Sequence, residues 1–168
     1  MIIWIIGLSG SGKTTFAKSL YDDVKEIKPN TIYLDGDIVR EIFDNDLGYS
    51  LTDRAINSKR IQKLCQLMDT EKVNVICSIL SIFPNHREEN RQIFKDYLEV
   101  FIDTPLADLE KRDSKGLYRR FNNGEIAGVV GKDIEFKRPE FSNLVIKNSG
   151  TLSNLLSYKK SLIKKIVG

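Results

Sequence analysis

The stretch GLSGSGKT, Gly7 to Thr14, decides the fold of this chain, because it matches the phosphate-binding pattern G-x-x-x-x-G-K-[ST]. The apolar run Ile2–Ile6 leads into it and predicts a buried strand, and the stretch Lys13–Asp23 follows it with apolar residues at helical spacing. A strand, a glycine loop and a helix N-terminus together make an anion site, since backbone N–H groups curl around phosphates and the helix end adds partial positive charge. The sequence therefore predicts a nucleoside triphosphate site.

The residue types within this stretch predict how ATP and Mg²⁺ are held. Lys13 is expected to reach the β- and γ-phosphates as a catalytic residue, and the Thr14 hydroxyl is expected to ligate Mg²⁺. The predicted ATP-binding residues of the loop are Gly7, Ser9, Gly10, Ser11, Gly12, Lys13, Thr14 and Thr15.

Length and composition are those of a soluble globular protein. The 168 residues fit one domain, residues 1–168, and 41% hydrophobic residues supply enough apolar side chains for one core. The net charge of +3 suits nucleotide binding without indicating nucleic acid as a partner. No stretch approaches membrane-spanning length, and Cys65 and Cys77 lack metal-site spacing. We expect a cytoplasmic protein with a small-molecule nucleotide as its partner, no nucleic-acid or membrane partner, and homodimer formation left open.

Apolar runs and amphipathic stretches alternate along the chain, which predicts an α/β fold with a parallel sheet covered by helices on both faces. The candidate strands are Ile2–Ile6, Thr31–Leu34, Val73–Leu80, Glu99–Ile102 and Asn143–Ile146. The candidate helices are Lys13–Asp23, Asp53–Glu71, His86–Tyr97, Pro105–Arg112 and Leu152–Ile166. Trp4 and both cysteines are expected in the core, whereas the single histidine, His86, is expected to face solvent.

The segment 113–139 interrupts this alternation. It holds four glycines, six basic residues and few apolar ones, and we expect no regular structure in it. A long irregular segment in a compact domain is usually functional, and glycine hinges with basic side chains fit a lid that closes over phosphates. A plain solvent loop is the alternative interpretation.

Two carboxylates follow the second candidate strand, in the sequence Asp35-Gly36-Asp37. On a parallel sheet they would share an edge with the phosphate loop, where they could orient Mg²⁺ and receive a proton from an attacking hydroxyl. An unperturbed Asp has a pKa near ~4 and is a weak base for an alcohol, so positioning would be its main role. The same residue types fit a simple turn. The sequence leaves open which carboxylate faces the metal; we assign Asp35 to the metal with Thr14, and both carboxylates to catalysis.

The order of the motifs resembles the adenylyl-sulfate kinases, which have the P-loop fold of the nucleoside monophosphate kinases. The matching stretches are GLSGSGKTT at Gly7–Thr15, LDGDIVR at Leu34–Arg40, DLGYSLTDRAINSKR at Asp46–Arg60, VFIDTPL at Val100–Leu106, RDSKGLY at Arg112–Tyr118 and GEI at Gly124–Ile126. The resemblance covers almost the whole chain, and this ordered series is far more specific than a phosphate loop alone. It implies a three-layer fold with a five-stranded sheet of order 2-3-1-4-5 and a mobile lid.

The resemblance also implies the reaction, which is ATP-dependent phosphorylation of a nucleotide at its ribose 3′-hydroxyl. Arg112 would lie on the ATP side of the site. The acceptor-binding residues that it implies are Asp37, Arg40, Arg54, Asn57, Ser81, Lys115 and Leu117, the last two at the root of the lid.

The acceptor half of the chain departs from the family pattern. The family lid usually carries a Phe-Thr-Gly-Ile-Asp run whose Phe stacks on the acceptor adenine, whereas this chain has VVGKD at 129–133. The usual Ser-Pro-Tyr/Phe after the third strand is SIF at Ser81–Phe83. Val129 has no aromatic face, and base stacking is worth roughly 1–3 kcal/mol. A branch of the family in bacterial capsule pathways acts on cytidine diphosphoramidate, whose pyrimidine needs less stacking surface. We slightly favour this acceptor over adenylyl sulfate.

Proteins of two other classes are the alternatives. A non-catalytic nucleotide switch that binds GTP would need an N-K-x-D run, which the chain lacks, and its D-x-x-G at Asp113–Gly116 follows a helix rather than a strand. A small-metabolite kinase would share the phosphate loop and the lid. It would not account for the matches at Asp46–Arg60 and Arg112–Tyr118 together.

Overall fold

The chain forms five strands: β1 (Ile2–Ile6), β2 (Thr31–Asp35), β3 (Asn74–Ile79), β4 (Tyr97–Asp103) and β5 (Leu144–Lys147). In the computed structural model, which describes residues 1–167, they build one sheet in the order β2-β3-β1-β4-β5. Each neighbouring pair is parallel. The predicted α/β class and the strand order implied by the resemblance are both confirmed.

Helices connect and cover these strands. They are α1 (Lys13–Ile27), α2 (Gly36–Ile42), α3 (Leu51–Thr70), α4 (Pro84–Ile93), α5 (Leu106–Arg112), α6 (Leu117–Asn122), α7 (Leu152–Ser157) and α8 (Lys159–Val167). Within residues 1–167, no helix combines the length and the apolar character that crossing a membrane requires.

The sheet is covered on both faces because successive residues of β1 point to opposite sides. Ile3 and Ile5 pack against α1, α7 and α8 in one core cluster. The other three residues of β1, Trp4 among them, pack against α2 and α3 in a second cluster. All five are at most 1% exposed, which explains why β1 is an unbroken apolar run. The expectation that Trp4 and both cysteines lie in the core is confirmed.

The predicted helix His86–Tyr97 is wrong at both ends. Helix α4 begins at Pro84, ends at Ile93, and is followed by β4 from Tyr97. Phe94 leaves the helix with extended backbone and is 3% exposed, with its ring centroid 6.0 Å from that of Tyr97. Burial of these two rings outweighs the local helical pattern.

Two predictions for the C-terminal third also need correction. The segment 113–139 contains a helix, α6, because the Asp113 carboxylate accepts the N–H groups of Tyr118 and Arg119 at 3.1 and 2.9 Å. The predicted helix Leu152–Ile166 is two helices, α7 and α8. Helix α7 ends where the Ser157 hydroxyl binds the Asn154 carbonyl at 2.7 Å, a side-chain bond that competes with the helical ladder.

The Asp-Gly-Asp sequence begins helix α2, which is absent from the helices predicted from the sequence. The Asp35 carboxylate accepts the Asp37 N–H at 2.9 Å and thereby caps α2, whose Val39 is buried against the sheet. Helix α3 likewise begins two residues before the predicted Asp53, because the Ser50 hydroxyl accepts the Asp53 N–H at 3.1 Å. Both capping signals were present in the sequence.

The register of the sheet brings the chemically reactive groups together. Asp35, the last residue of β2, pairs with Ser78 near the end of β3, and Ile6 at the end of β1 pairs with Ile79. The phosphate loop after β1 and the carboxylates after β2 therefore meet at the carboxyl edge, where ligands of such sheets bind.

An ion pair with a buried carboxylate links α4, β4 and the chain just before β5. Glu99 on β4 is fully buried and accepts two hydrogen bonds from Arg91 of α4, each 2.9 Å. Its carboxylate also accepts the Ser142 hydroxyl at 2.8 Å. The chain just before β5 is thus tied to Glu99 of β4 twice, through this carboxylate and through the Glu99 N–H, which donates to Asn143 Oδ1 at 2.7 Å.

We predict that Arg91→Ala lowers the free energy of unfolding by about 3–5 kcal/mol, because it leaves the Glu99 charge buried without its cation. Urea denaturation measures this change. The double variant Arg91→Ala/Glu99→Gln should recover part of the loss, since the amide keeps a partner for Ser142 and carries no charge. A single-variant loss below 1 kcal/mol would contradict this account of the anchor.

Candidate active site

One cleft of about 720 Å³ opens at the carboxyl edge of the sheet. It brings together residues of the phosphate loop, the Asp-Gly-Asp turn, α3, the end of β3 and the root of the 113–139 segment. The predicted site residues that line it are Ser9, Gly10, Gly12, Lys13, Thr14, Thr15, Asp35, Asp37, Arg40, Arg54, Asn57, Ser81, Lys115 and Leu117. Gly7, Ser11 and Arg112 stand outside its lining.

The phosphate loop is held close to the sheet. A Cβ atom at Gly7 would lie 2.7 Å from the carbonyl oxygen of Ile102, so only glycine fits there. The carbonyl of Ser11 accepts hydrogen bonds from Asn148 Nδ2 at 2.8 Å and from the Thr104 hydroxyl at 3.4 Å. Gly12 has φ of 94°, the left-handed region that turns the loop into α1. Gly7 and Ser11 therefore fix the conformation of the loop through contacts on the side away from the cleft.

The Lys13 side chain lines the cleft and is held by the phosphate loop. Its Nζ donates to the Leu8 carbonyl at 2.7 Å. Burial lowers the pKa of Lys13 to about 8, with Lys115 acting in the same direction and the carboxylates of Asp35 and Asp37 opposing it. The protein alone therefore stabilises the ammonium incompletely, and a phosphate would supply the negative charge that it lacks.

Asp35 is surrounded by hydrogen-bond donors. Its Oδ2 accepts hydrogen bonds from the hydroxyls of Tyr33 at 2.7 Å, Ser78 at 2.5 Å and Thr14 at 3.3 Å. Burial raises the pKa of the Asp35 carboxyl, but the bonds from Ser78, the Asp37 N–H, Tyr33 and Thr14 outweigh it and hold the pKa below its usual value. Asp35 is thus an ionised, oriented carboxylate rather than a proton acceptor.

Asp37 has the opposite surroundings. Its carboxylate is 65% exposed and lies 3.5 Å from the ammonium of Lys115, which is 69% exposed. The pair links the Asp-Gly-Asp turn to the beginning of the 113–139 segment across the mouth of the cleft. Asp37 is therefore free to meet a hydroxyl group that enters the cleft.

Two arginines form a positively charged wall. Arg40 is 7% exposed and donates to the carbonyls of Leu47 and Gly48 at 3.0 and 2.8 Å. Arg54 donates to the carbonyl of Tyr49 at 2.8 Å and to that of Gly128 at 3.0 Å. Burial lowers the pKa of Arg54, and the like charge of Arg40 adds to this effect. Both guanidinium groups are bound by carbonyls and keep their charge for an anion.

Asn57 lines the same cleft as Arg40 and Arg54, and one polar atom of its side chain has no hydrogen-bond partner among residues 1–167. Asn57 is 5% exposed, and its Nδ2 donates to the Gly36 carbonyl at 3.3 Å. Its Oδ1 is buried and has no hydrogen-bond partner among residues 1–167. Ser81 lies nearby on the cleft lining, where its hydroxyl accepts the indole N–H of Trp4 at 3.2 Å. A ligand N–H or O–H group would satisfy Asn57.

Arg112 lies away from the cleft lining. Its guanidinium donates to the Asn148 carbonyl at 2.9 Å, and Asn148 in turn binds the phosphate loop. This places Arg112 beside the loop after β5, on the side of α1 rather than on the side of Arg40 and Arg54.

The expectation that His86 faces solvent is wrong. His86 is 8% exposed, and its Nδ1 lies 3.0 Å from the Ser58 hydroxyl of α3. Burial lowers its pKa, with the positive charge of Lys59 adding to the effect. Its ring is 4.9 Å from that of Phe83, which lines the cleft.

His86 belongs to a polar seam between α3 and α4. The seam consists of the contacts Ser58–His86, Lys59–Glu89 and Gln62–Asn90, the last with a length of 2.8 Å. The position of His86 after Pro84-Asn85 at a helix start favours an exposed side chain, and nothing in the sequence indicates that α3 supplies polar partners for α4.

Three tyrosines that the sequence reading did not select surround the site. Tyr33 and its partner Ser78 hold Asp35. Tyr49 is 62% exposed and lines the cleft, with the guanidinium carbons of Arg40 and Arg54 at 4.6 and 5.4 Å from its ring centre. Tyr118 of α6 donates its hydroxyl to the Ser9 carbonyl at 2.9 Å and so ties the 113–139 segment to the phosphate loop. The position of Tyr33, two residues before Asp35 on one face of a strand, was the readable signal.

The oxygen atoms present fit Mg²⁺. The Thr14 hydroxyl and the Asp35 carboxylate lie 3.3 Å apart at the edge of the cleft. Within residues 1–167 there is no cluster of three or more His, Cys, Asp or Glu side chains that would form an all-protein cage. A hydroxyl and one carboxylate, completed by phosphate oxygens and waters, is the arrangement that Mg²⁺ favours.

Comparison with known proteins agrees with this geometry. The family model described as adenylylsulphate kinase matches residues 1–147. The chain belongs to the adenylylsulphate kinase family. It is thus a P-loop kinase, as the sequence motifs predicted.

Individual relatives cover nearly the whole chain. It is 40% identical over 165 residues to the cytidine diphosphoramidate kinase of Campylobacter jejuni, covering 98% of this chain and 95% of the relative. It is 40% identical over 149 residues to the adenylyl-sulfate kinase of Pseudomonas entomophila, covering 88% and 72%. The structure of the Mycobacterium tuberculosis APS kinase CysC in complex with AMPPNP and APS superposes with a TM-score of 0.85 at 32% identity, covering 99% and 97%.

We predict that Lys13→Met abolishes turnover and stabilises the nucleotide-free protein at pH 7. The folded pKa of about 8 lies below the ordinary 10.5, so between these values the unfolded chain binds more protons than the folded one. Stability of the parent protein should therefore rise with pH across this range, and the advantage of the variant should shrink over the same range.

Thermal unfolding of both proteins in phosphate-free buffers from pH 7 to 10.5 measures this convergence, and ADP release measures turnover. A stability difference that does not change with pH would contradict the assignment of the burial cost to Lys13.

Proposed function

We propose that this protein transfers the γ-phosphoryl group of ATP, with Mg²⁺, to the ribose 3′-hydroxyl of a nucleotide, and that its acceptor is cytidine diphosphoramidate. Adenylyl sulfate is the second candidate. The two compounds share a ribose and an anionic group that the Arg40 and Arg54 wall would bind, and they differ in the base and in the terminal group, which is a phosphoramidate in one and a sulfate in the other.

The aliphatic side chain of Val129 in the cleft lining favours cytidine diphosphoramidate over adenylyl sulfate as the acceptor. Val129 lines the cleft, is 2% exposed and packs with Leu109 and Tyr118. Its backbone is fixed, because the Asp133 carboxylate accepts the N–H groups of Gly128 and Val129. A small pyrimidine loses little at such a wall, whereas a purine loses one stacking face. The relative of this name in C. jejuni supports the same choice.

Tyr49 favours the second candidate. Its exposed ring lines the cleft between the two arginines and the solvent, so one aromatic face is available to a purine. Several curated relatives are adenylyl-sulfate kinases, including those of P. entomophila and Buchnera aphidicola. A purine acceptor would then stack on Tyr49 alone.

The chain's own residues account for each part of the transfer. Lys13 binds the β- and γ-phosphates and offsets the charge that develops on the transferred group. Asp35 and Thr14 hold the metal, which when bound neutralises phosphate charge. Asp37 orients the attacking hydroxyl and accepts its proton, while Arg40 and Arg54 fix the acceptor in line.

The segment 113–139 acts as the lid in this proposal. Lys115 already reaches Asp37 at 3.5 Å, and Gly128 already accepts a hydrogen bond from Arg54. Both contacts join the segment to the acceptor half of the cleft. Closure over the two substrates would exclude water, which would otherwise compete as the phosphoryl acceptor.

We predict that Asp37→Asn lowers kcat by roughly 10²–10⁴ while leaving nucleotide affinity unchanged, because the amide cannot take the hydroxyl proton. Steady-state kinetics of ADP release, together with calorimetric ATP binding, measures both quantities. A rise in KM at constant kcat would make Asp37 a binding residue instead.

The acceptor is tested by comparing ADP release with cytidine diphosphoramidate and with adenylyl sulfate at matched concentrations. We expect the larger kcat/KM with the cytidine compound. A clear preference for adenylyl sulfate would make Val129 a tolerated change, and turnover with neither compound would overturn both candidates.

The lid position is tested by Val129→Phe, with Val129→Leu as a control that adds volume without an aromatic face. One stacking contact is worth roughly 1–3 kcal/mol, so the Phe variant should gain about 5- to 150-fold in kcat/KM for adenylyl sulfate. The Leu variant should gain nothing. Equal gains in both variants would show that pocket volume, not stacking, sets the preference.

A further inference from the structure

The Asp35 carboxylate accepts hydrogen bonds from the phosphate loop and also from two side chains of the sheet, Tyr33 and Ser78. Besides the Thr14 hydroxyl of the phosphate loop, its Oδ2 accepts the hydroxyls of Tyr33 at 2.7 Å and Ser78 at 2.5 Å. These two hydroxyls are themselves 2.9 Å apart. Side chains of the sheet thus hold Oδ2 of Asp35, and Oδ1 accepts the Asp37 N–H at 2.9 Å.

The strand geometry explains why these groups meet. Tyr33 precedes Asp35 by two residues on β2, so both side chains leave the same face of the strand. Ser78 is the register partner of Asp35 on β3. A contact between a strand residue, its neighbour two positions away and its cross-strand partner is fixed by the sheet itself. It does not depend on a loop.

The ring of Tyr33 is anchored behind the site rather than within it. It packs against the core cluster of α1, with its centroid 6.2 Å from that of Tyr21. Tyr33 does not line the cleft, whereas Asp35 and Ser78 do. Its hydroxyl therefore acts on a ligand through Asp35 and has no direct route to one.

We propose that Tyr33 is a positioning residue that, with Ser78, fixes the Asp35 carboxylate for a divalent cation. The inference rests on the proposed function, because it takes Asp35 as a metal-binding group. Mg²⁺ demands near-ideal octahedral geometry and binds through few protein ligands, so the orientation of one carboxylate matters. Partners that orient ligating carboxylates typically change metal affinity by 10–100-fold when they are removed.

These hydrogen bonds give Asp35 and Asp37 different roles in the proposed reaction. Because hydroxyl groups hold Oδ2 and the Asp37 N–H holds one lone pair of Oδ1, Asp35 keeps one orientation at the end of β2, and Oδ1 retains a lone pair for a cation. Asp37, exposed and paired with Lys115, is left for the acceptor hydroxyl. Tyr33 and Ser78 thus fix one carboxylate for the metal, and the exposure of Asp37 leaves the second one open to the substrate.

Tyr33→Phe tests the proposal, because it removes the hydroxyl and keeps the packed ring. Tyr21→Phe is the matched control, because Tyr21 is the neighbouring ring of the same aromatic pair and its hydroxyl is not among the groups that donate to Asp35. Ser78→Ala removes the second hydroxyl. Calorimetry measures the Kd of AMPPNP in EDTA and in Mg²⁺, and the ratio of the two gives the tightening that Mg²⁺ provides.

We expect Tyr33→Phe to lower this ratio about 10-fold, with an unchanged Kd in EDTA. Ser78→Ala should lower it in the same direction, and Tyr21→Phe should match the parent protein. A ratio for Tyr33→Phe within twofold of the parent, or equal losses in the two tyrosine variants, would overturn the proposal. A parent protein whose AMPPNP binding does not respond to Mg²⁺ would overturn it as well.

This readout does not require an acceptor. If neither nucleotide acceptor is phosphorylated but the Mg²⁺ response is lost in Tyr33→Phe, the proposed function fails and the role of Tyr33 stands. If an acceptor is phosphorylated and the Mg²⁺ response is unchanged in Tyr33→Phe, the role of Tyr33 fails and the proposed function stands.

Discussion

An anion can enter the phosphate loop only if the carbonyl oxygens of the loop are held away from it. Side chains from several elements meet this requirement. Lys13 of α1 binds the Leu8 carbonyl, and Tyr118 of α6 binds that of Ser9. Asn148 and Thr104, after β5 and β4, bind that of Ser11. The N–H groups at the start of α1 are left without intrahelical partners. The loop is therefore ordered before a nucleotide arrives, which lowers the entropic cost of binding.

The arginines of the chain divide by what binds them. Arg60 is paired with Asp46, Arg91 with Glu99 and Arg138 with Asp103, so their charges are neutralised within the protein. Arg40 and Arg54 are bound by backbone carbonyls, which orient a guanidinium without cancelling its charge. Arg87 and Arg112 are also bound by carbonyls, but they lie outside the cleft lining, so Arg40 and Arg54 are the carbonyl-bound arginines that an anionic ligand in the cleft would meet. Composition and net charge do not distinguish them from the others.

This division shows what the sequence could and could not predict. The strands and the phosphate loop were predictable, because unbroken apolar runs and a motif with fixed spacing are local signals. The contacts of Tyr33 with Ser78 and of Tyr118 with Ser9 join residues that are 45 and 109 positions apart, and a single sequence holds no record of such pairs. The burial of His86 and the early end of α4 were missed for the same reason, since packing against α3 and β4 overrides the local pattern.

The polar seam between α3 and α4 has a consequence for how the two helices can move. Apolar surfaces tolerate sliding, because one methyl group replaces another at little cost, whereas each hydrogen bond of the seam has one correct partner. A shift of α4 by one helical turn, about 5.4 Å, would break Ser58–His86 and Gln62–Asn90 at once. Phe83, at the start of α4, would leave the cleft in the same step. The seam therefore holds α4, and with it Phe83 on the cleft lining, in one position relative to α3.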